Sequence, residues 1–483
     1  MKRLLAGFLL IVLVMLSGCH SDMSDEIVGA QRTLTFGGYG GSGAVSLFQE
    51  ENPEIQIEYV DEMTPEELAE RISSKDDQVD IYVVYADYAY ASMIQKGLTA
   101  PLSSSVILQD VNLMYEPIQD ILKDASGNIV AYPAHMDIWE YGINAGYWEM
   151  LFGERPLPKT FGEVLDAWIE WEEKYAAQYP GIGFMPMNFD YAGIVQQMIS
   201  IYIMQLSSEG APDLDAPVLR SILEKLEKIY NIRLAAGRSV HRDEVDTQIL
   251  TDSETGPGFI FHITVRNAIV PDSSGAAVMM TAQDYLYGLP KGKMTWLPLT
   301  FDDEGGHSTD GRMQVYVINP YSRNIEEAIR YIEYLTRVET NPTMYYAYHP
   351  HADEPYEDPR FFERLEKYTA QKSEYEQQVE QAKQQGLDAS SLQYQLDYLT
   401  SWIANKETAK WLISAENIAN YRSMIQNAPL NLHIDSPYIS QSGTIACGIL
   451  DSACERYANG LLSMDMFLKE LSEKMQMMYL ENQ

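Results

Sequence analysis

Cysteine and positive charge are both scarce in this chain of 483 residues. Three cysteines are too few for a disulfide-stapled scaffold. With 34 basic residues against 70 acidic ones, the formal charge is −36 and no basic cluster of useful size occurs. That balance argues against a nucleic-acid partner, because each phosphate contact needs a Lys or Arg. Neither G-x-S-x-G nor H-E-x-x-H is present, so two common hydrolase signatures are absent. Long apolar runs are missing apart from one at the N-terminus. What the chain does have is 46% apolar residues, enough for cores without staples, and at about 100 to 200 residues per domain its length suggests two or three of them. Aromatics at 11% argue against disorder. Most of them are Tyr, 33 in all, which suits half-buried surfaces and also polar, ring-shaped ligands.

Lys2 and Arg3 precede an apolar run from Leu4 to Leu16, and Ser17, Gly18 and Cys19 follow. This pattern reads as an export signal over residues 1–18, too short for a spanning helix of roughly 20 residues. Leu16-Ser17-Gly18-Cys19 resembles the lipobox of bacterial lipoproteins. That resemblance implies a diacylglyceryl group on Cys19 and anchorage to the outer face of the cytoplasmic membrane. Residues 19–32 are polar and aperiodic, as a tether would be. Cys447 and Cys454 would lie about 10 Å apart along one helix, too far to bridge, unless a loop closes the gap; the sequence leaves both open.

Strand and helix patterns alternate in the body. Arg32 to Phe36 alternates like a strand, Ala44, Leu47 and Phe48 recur at helical spacing, Ile55, Ile57 and Tyr59 alternate again, and Asp80 to Tyr85 is a continuous run of the kind buried in a parallel sheet. Thr64-Pro65-Glu66-Glu67 reads as a capping box. These elements predict a doubly wound α/β lobe with its ligand at the carboxyl ends of the strands. A second α/β region is expected from Pro156 onward, with helices over about 191–206 and 216–236 and a strand over 276–281, and a further strand over 313–318 and helix over 322–337 follow. Leu365, Tyr368, Tyr375, Val379 and Ala382, with Lys372 in one slot, face Leu392, Leu396, Leu399 and Ile403 in a predicted antiparallel helical hairpin over 361–405. Gly386 would stop its first helix and Ser390 cap its second.

Gly38-Tyr39-Gly40-Gly41-Ser42-Gly43 satisfies G-x-G-x-x-G, with Asp61 eighteen residues beyond, as in a dinucleotide fold. An exported protein has no ready supply of nicotinamide, and the same glycines serve wherever backbone must approach another ligand. His349-Pro350-His351-Ala352-Asp353-Glu354 offers metal-ligand types but no second ligand pair, and reads as a solvated loop. No metal and no cofactor are expected. Paired carboxylates for glycoside hydrolysis depend on a spatial separation of about 5 to 9.5 Å that a sequence does not display.

Five stretches in order, at 34–60, 80–102, 129–151, 313–335 and 460–481, together resemble the extracellular solute-binding proteins of family 1, the sugar-binding class of ABC importers that includes maltose-binding protein. The resemblance implies a two-lobed periplasmic-binding-protein-like α/β fold of type II with hinge strands, to which the helical hairpin would be an insertion. It divides the chain into a first lobe at 33–136 and 315–360 and a second at 137–314 and 406–483, with the hairpin at 361–405. It implies a monomeric, non-enzymatic receptor that captures a carbohydrate and delivers it to permease subunits. By position in the matching segments it implies ligand contacts from Gly38, Tyr39 and Gly40, from Tyr85, Asp87 and Tyr88, and from Asp137 near the hinge. In the second lobe it implies contacts from Asn188, Asp190 and Tyr191, from Gln283 to Tyr285, and from Tyr438. The chemistry agrees, since sugars stack their C–H faces on tyrosines and give their hydroxyls to carboxylates and amides. Asp137, between Met136 and Ile138 on an apolar strand, would need a buried partner, and a ligand hydroxyl is one. A surface glycan-binding or structural lipoprotein is the alternative, and a glycoside hydrolase a lesser one.

Overall fold

The computed structural model describes residues 32–38, 44–60, 65–179, 182–185, 190–205, 212–238, 240, 258–267, 294–297, 299–301, 309–387, 389–427, 430–432 and 449–481. Its strands are β1 (Arg32–Gly37), β2 (Ile55–Val60), β3 (Ile81–Tyr85), β4 (Tyr132–Asn144), β5 (Ile182–Gly183), β6 (Gly258–Phe259), β7 (Phe261–Asn267), β8 (Met294–Leu297), β9 (Thr309–Ile318), β10 (Tyr356–Glu357), β11 (Trp411–Ile413) and β12 (Leu430–Asn431). One eight-stranded sheet runs β2-β1-β3-β9-β4-β7, with β12 on β9 and β8 on β4. β1 is parallel to β2 and β3, whereas β9 enters antiparallel between β3 and β4. The parallel half is the doubly wound unit that the alternating pattern predicts. The strand expected over 276–281 lies outside the described residues, as do Thr64 of the predicted capping box and Cys19 and Cys447. The helix Pro65–Ser73 does begin with Pro65.

Among the described residues two large cores form on this sheet, with a small third cluster of Leu68, Ile72, Val79, Tyr82 and Met93 beside β3. The first gathers Leu34, Phe36, Ile81, Met136, Ile138, Met313, Val315, Val317 and the helix Ile325–Leu335. Tyr331 of that helix meets Phe36, Phe48 and Tyr316 edge-on at 5.0, 5.1 and 5.8 Å, the geometry that aromatic quadrupoles favour. The second core gathers Tyr141, Ile143, the helices Phe161–Glu170, Tyr191–Gln205 and Pro217–Ala235, and the C-terminal helices Ile449–Ala458 and Met464–Glu481. Cys454 is buried there.

β4 passes between the two cores. Its buried residues are the even positions Met136 and Ile138 in the first core, then the odd positions Tyr141 and Ile143 in the second. Because strand side chains alternate, the switch of parity means that the strand offers opposite faces to the two lobes. The lobe boundary therefore falls between Ile138 and Tyr141, slightly beyond the expected residue 136. A larger correction concerns the end of the chain. Residues after the hairpin do not go directly to the second lobe: Ile413, Ile418, Tyr421, Leu430 and Leu432 belong to the first core. β11 pairs with β10, and β12 extends the sheet beside β9, so the chain returns to the first lobe before it crosses between Leu432 and Leu450.

The helices Phe361–Gln384 and Ser390–Ala404 pack antiparallel: Trp402 near the end of the second meets Phe361 at a tilt and Tyr368 edge-on near the start of the first, and Lys383 bonds Gln393 at the other end. Val379, Ala382 and Leu399 are its buried seam. Gly386 stops the first helix at φ +68°, with Leu387 N–H donating to Ala382 O. Ser390 is not the cap of the second helix; Ala389 holds that position and makes no side-chain bond.

Candidate functional site

The sheet face at the carboxyl end of β3 carries five side chains from three strands. Tyr85 on β3, Gln314 on β9 and His135 on β4 are lateral neighbours, and Asp137 pairs with Arg312 two residues further along. A period of two places all five on one face. Met136, Ile138, Met313 and Val315 fill the other face with apolar groups. The site's own face passes into the core at Tyr316, two residues beyond Gln314.

Asp137 is the centre of this group. Arg312 Nε donates to its Oδ2 at 3.0 Å, and His135 Nε2 lies 2.7 Å from its Oδ1. A carboxylate can only accept, so the His135 proton is on Nε2. Burial alone raises the carboxyl pKa, but the His135 hydrogen bond and the charges of His135 and Arg312 outweigh it and hold the group below its ordinary value. The Arg312 guanidinium also sits over the Tyr85 ring, 5.7 Å from its centre. The expectation that Asp137 needs a ligand hydroxyl as its partner is therefore corrected: two side chains of the chain itself already bind it. Each carboxylate oxygen has a second lone pair, and the side chain keeps 13% exposure, so a hydroxyl can still be bound.

Gly311 fixes how closely the crossing strands pack. A Cβ there would lie 2.9 Å from Asp137 O and 3.1 Å from a methyl of Leu432, so only glycine lets β4, β9 and the end of β12 meet.

Further along the same face, next to Tyr132 and Tyr316, β4 carries a bulge between Pro133 and His135 that leaves Ala134 without a cross-strand partner. The helix Pro342–Tyr348 packs over the bulge, and Met136 N–H donates to Met344 Sδ at 3.3 Å. Between them is a cavity walled by Tyr132, Tyr316, Tyr345 and Tyr348, with Pro133 and Ala134 along one side. The centre of a water-sized sphere can move over about 20 Å³ of it. His349 ends the helix. It is 3% exposed, stacks on Tyr345 at 4.1 Å, and its Nδ1 lies 2.8 Å from Tyr345 O. Asp110 accepts the Tyr132 hydroxyl at 2.8 Å and lies 3.2 Å from His349 Nε2. Arg422 Nη2 donates to His349 O at 2.6 Å and tethers the helix from outside. The reading of 349–354 as a solvated loop fails for His349, which the Tyr345 ring and Asp110 hold inside. Among the described residues no three His, Cys, Asp or Glu side chains are grouped to hold a metal.

The other expected contacts divide into three sets. Gly38 follows β1 at φ +97°, where a Cβ would also stand 2.5 Å from Val83 O, so backbone conformation and the close approach to β3 together require glycine. Asp87 caps the helix Tyr88–Gln95, its Oδ1 accepting from Ala89 and Tyr90 N–H. Asp190 precedes the helix Tyr191–Gln205 in the second lobe, half-buried, with Ile194 N–H on its carbonyl. Tyr191 is corrected out of the site: it is 3% exposed and its ring lies 4.7 Å from that of Tyr230 and 6.1 Å from that of Tyr457. Burial drives its hydroxyl pKa up, and a hydrogen bond with Tyr457 adds to the rise. It is a core residue. Tyr39, Gly40, Asn188, Gln283, Tyr285 and Tyr438 lie outside the described residues, and Tyr88 opens its helix.

Four residues escaped the sequence reading: Arg312, His135, Gln314 and Tyr345. Three of them had a signal. His135 stands two before Asp137, and Arg312 and Gln314 stand two apart at the start of the MQVYVI strand, so period-two spacing puts each pair on one face. Tyr345 had none, because its place depends on how a helix far along the chain lies over β4.

No protein-family model matches the chain, and no curated protein does. Solved structures do. The chain is similar to a maltose-bound MalE3 of T. maritima, with a TM-score of 0.54 at 13% identity over 92% of this chain and 99% of that one. It is also similar to the GacH receptor of Streptomyces glaucescens, solved unliganded and in complex with acarbose, with a TM-score of 0.51 at 12% identity over 93% and 99%. At these identities the likeness is one of fold, and it extends over nearly the whole of each chain.

Proposed function

We propose that this protein is a lipid-anchored receptor on the outer face of a bacterial cytoplasmic membrane, which captures a carbohydrate and delivers it to an ABC import permease. One observation carries the reading: the fold of two sugar-bound receptors extends over nine tenths of this chain, and a charged, tyrosine-walled face lies at its lobe crossing. That face has the chemistry of a sugar site. Tyr85 and Tyr345 offer flat apolar rings, while Asp137, Arg312, His135 and Gln314 offer acceptors and donors for a hydroxyl rim. Gly38, Tyr39, Gly40, Asp87 and Tyr88 would complete the first-lobe wall, and Asn188, Asp190, Gln283, Tyr285 and Tyr438 the facing wall of the second.

In this reading the ligand contacts both lobes at once, and that differential contact closes them about the crossing strands. The protein performs no chemistry on what it binds. The helical hairpin is an insertion into the first lobe, and Cys19 carries the lipid.

Thermal unfolding of residues 20–483 against mono- and oligosaccharides, polyamines, peptides and divalent metals tests the proposal. A ligand at 100 times its Kd stabilises by about 2.7 kcal/mol. A shift confined to one saccharide class is expected. A shift confined to peptides, polyamines or metals would overturn the carbohydrate assignment, and silence across the panel would favour a structural lipoprotein.

A further inference from the structure

The Tyr348 hydroxyl is buried among apolar and aromatic side chains and, among the described residues, has no hydrogen-bond partner. Its residue is 3% exposed and lines the cavity under the β4 bulge. His349 Nε2, on the same wall, is a second such atom: Asp110 Oδ1 is 3.2 Å away but not aligned to share a ring hydrogen. The Tyr345 carbonyl facing Nδ1 can only accept, so Nδ1 carries a ring proton. The bulge adds a third feature, since Ala134 lines the cavity and has no cross-strand partner. Buried polar atoms are costly to leave unpaired, and the space beside these is that of about one water.

We propose that the cavity between the β4 bulge and the helix Pro342–Tyr348 is a subsite for one hydroxyl oxygen, with the Tyr348 hydroxyl as its fixed partner. The oxygen comes from a water molecule in the ligand-free protein, or from a hydroxyl of the bound ligand when one reaches it. A hydroxyl group suits the walls because it both donates and accepts, meeting a phenol that can do either. The subsite also adjoins the face described above. Tyr316, which walls it, is two residues from Gln314 on the same strand face, so the occupant sits beside the group that holds Asp137. The water half of the proposal stands without the carbohydrate reading; the ligand half rests on it.

Two measurements on the ligand-free protein test the subsite. A crystal structure at a resolution that displays ordered solvent should hold one oxygen within hydrogen-bond distance of Tyr348 Oη, and the Tyr348→Phe variant should lose it. The same variant should melt at a lower temperature than the parent, because its bound oxygen loses a partner. A dry cavity, or a Tyr348→Phe variant that melts at the same or a higher temperature, would overturn the proposal, since deleting a hydroxyl that is truly unpaired relieves a cost. A crystal structure with a saccharide found by the thermal panel then separates the two sources: the oxygen either remains a water or is replaced by a hydroxyl of the ligand. If no saccharide binds at all, the function proposed above fails while the water subsite is still decided by the first two results.

Discussion

Asp137 and Glu172 are both carboxylates held by nitrogen-bearing side chains, two for Asp137 and three for Glu172, in opposite settings. Glu172 lies in the second core on a π-helical turn, Trp171–Tyr175, and its side chain has no exposure. Arg233 Nη1 donates to it at 2.8 Å, Trp168 Nε1 at 3.1 Å, and Arg238 holds the other oxygen. All these partners belong to one lobe. Asp137 takes its partners from the crossing strands, and its neighbours Arg312 and His135 keep 29% and 37% exposure. Dry ions have no alternative to one another, so the Glu172 cluster is a lock. Half-exposed ions can exchange partners with water or a ligand, which suits the Asp137 cluster to the contact role proposed for it. Similar side chains thus do different work according to access.

The contrast can be tested from its strongest end. Glu172→Gln leaves the buried Arg233 and the half-buried Arg238 without a counter-charge, and should cost about 3 to 5 kcal/mol of unfolding free energy in denaturant titration. A loss below about 1 kcal/mol would show that the cluster is not a lock. Gly38→Ala meets both a left-handed φ and the Val83 carbonyl; about 1 to 3 kcal/mol should be lost, with ligand affinity falling alongside because β1 leads into the site.

Asp137→Ala should weaken saccharide binding by at least about 1 kcal/mol in calorimetry while the fold is retained. Unchanged affinity would remove Asp137 from the site. The same residue has a pH signature. Its folded carboxyl is held below the unfolded value of about 4. Its contribution to stability is thus complete above about pH 4 and is lost as pH falls through the folded value; Asp137→Asn should flatten that acid limb. The smallest effect belongs to the hairpin. Lys372, half-buried in the seam beside Glu376, should change stability by about 0.2 to 0.5 kcal/mol when replaced by Ala, measured as a shift in denaturant midpoint.

Legibility differed between regions for the same reason of access. The hairpin seam was readable because its buried residues, Val379, Ala382 and Leu399, follow from local periodicity. Gly386 was readable because a left-handed residue after a helix is a local demand. Tyr191 was misread: an aromatic at the head of a helix is a surface group or a core group according to whether Tyr230 and Tyr457 arrive beside it, and they come from distant segments. The same holds for the return of 411–432 to the first lobe, which is written in strand pairings rather than in the segment's own pattern.

By itself the sequence determined the α/β class, most element positions, the acidic balance that argues against a nucleic-acid partner, and the carboxylate at the lobe crossing. Each of these depends on neighbours within a few positions or on composition. Only the tertiary structure decided that Arg312 and His135 bind Asp137, that Tyr345 and Tyr348 wall a cavity beside that group, and that Glu172 is sealed between two arginines. Those contacts join residues up to some two hundred positions apart, and their energies depend on how completely water is excluded, which is a property of the packed molecule and of no single segment.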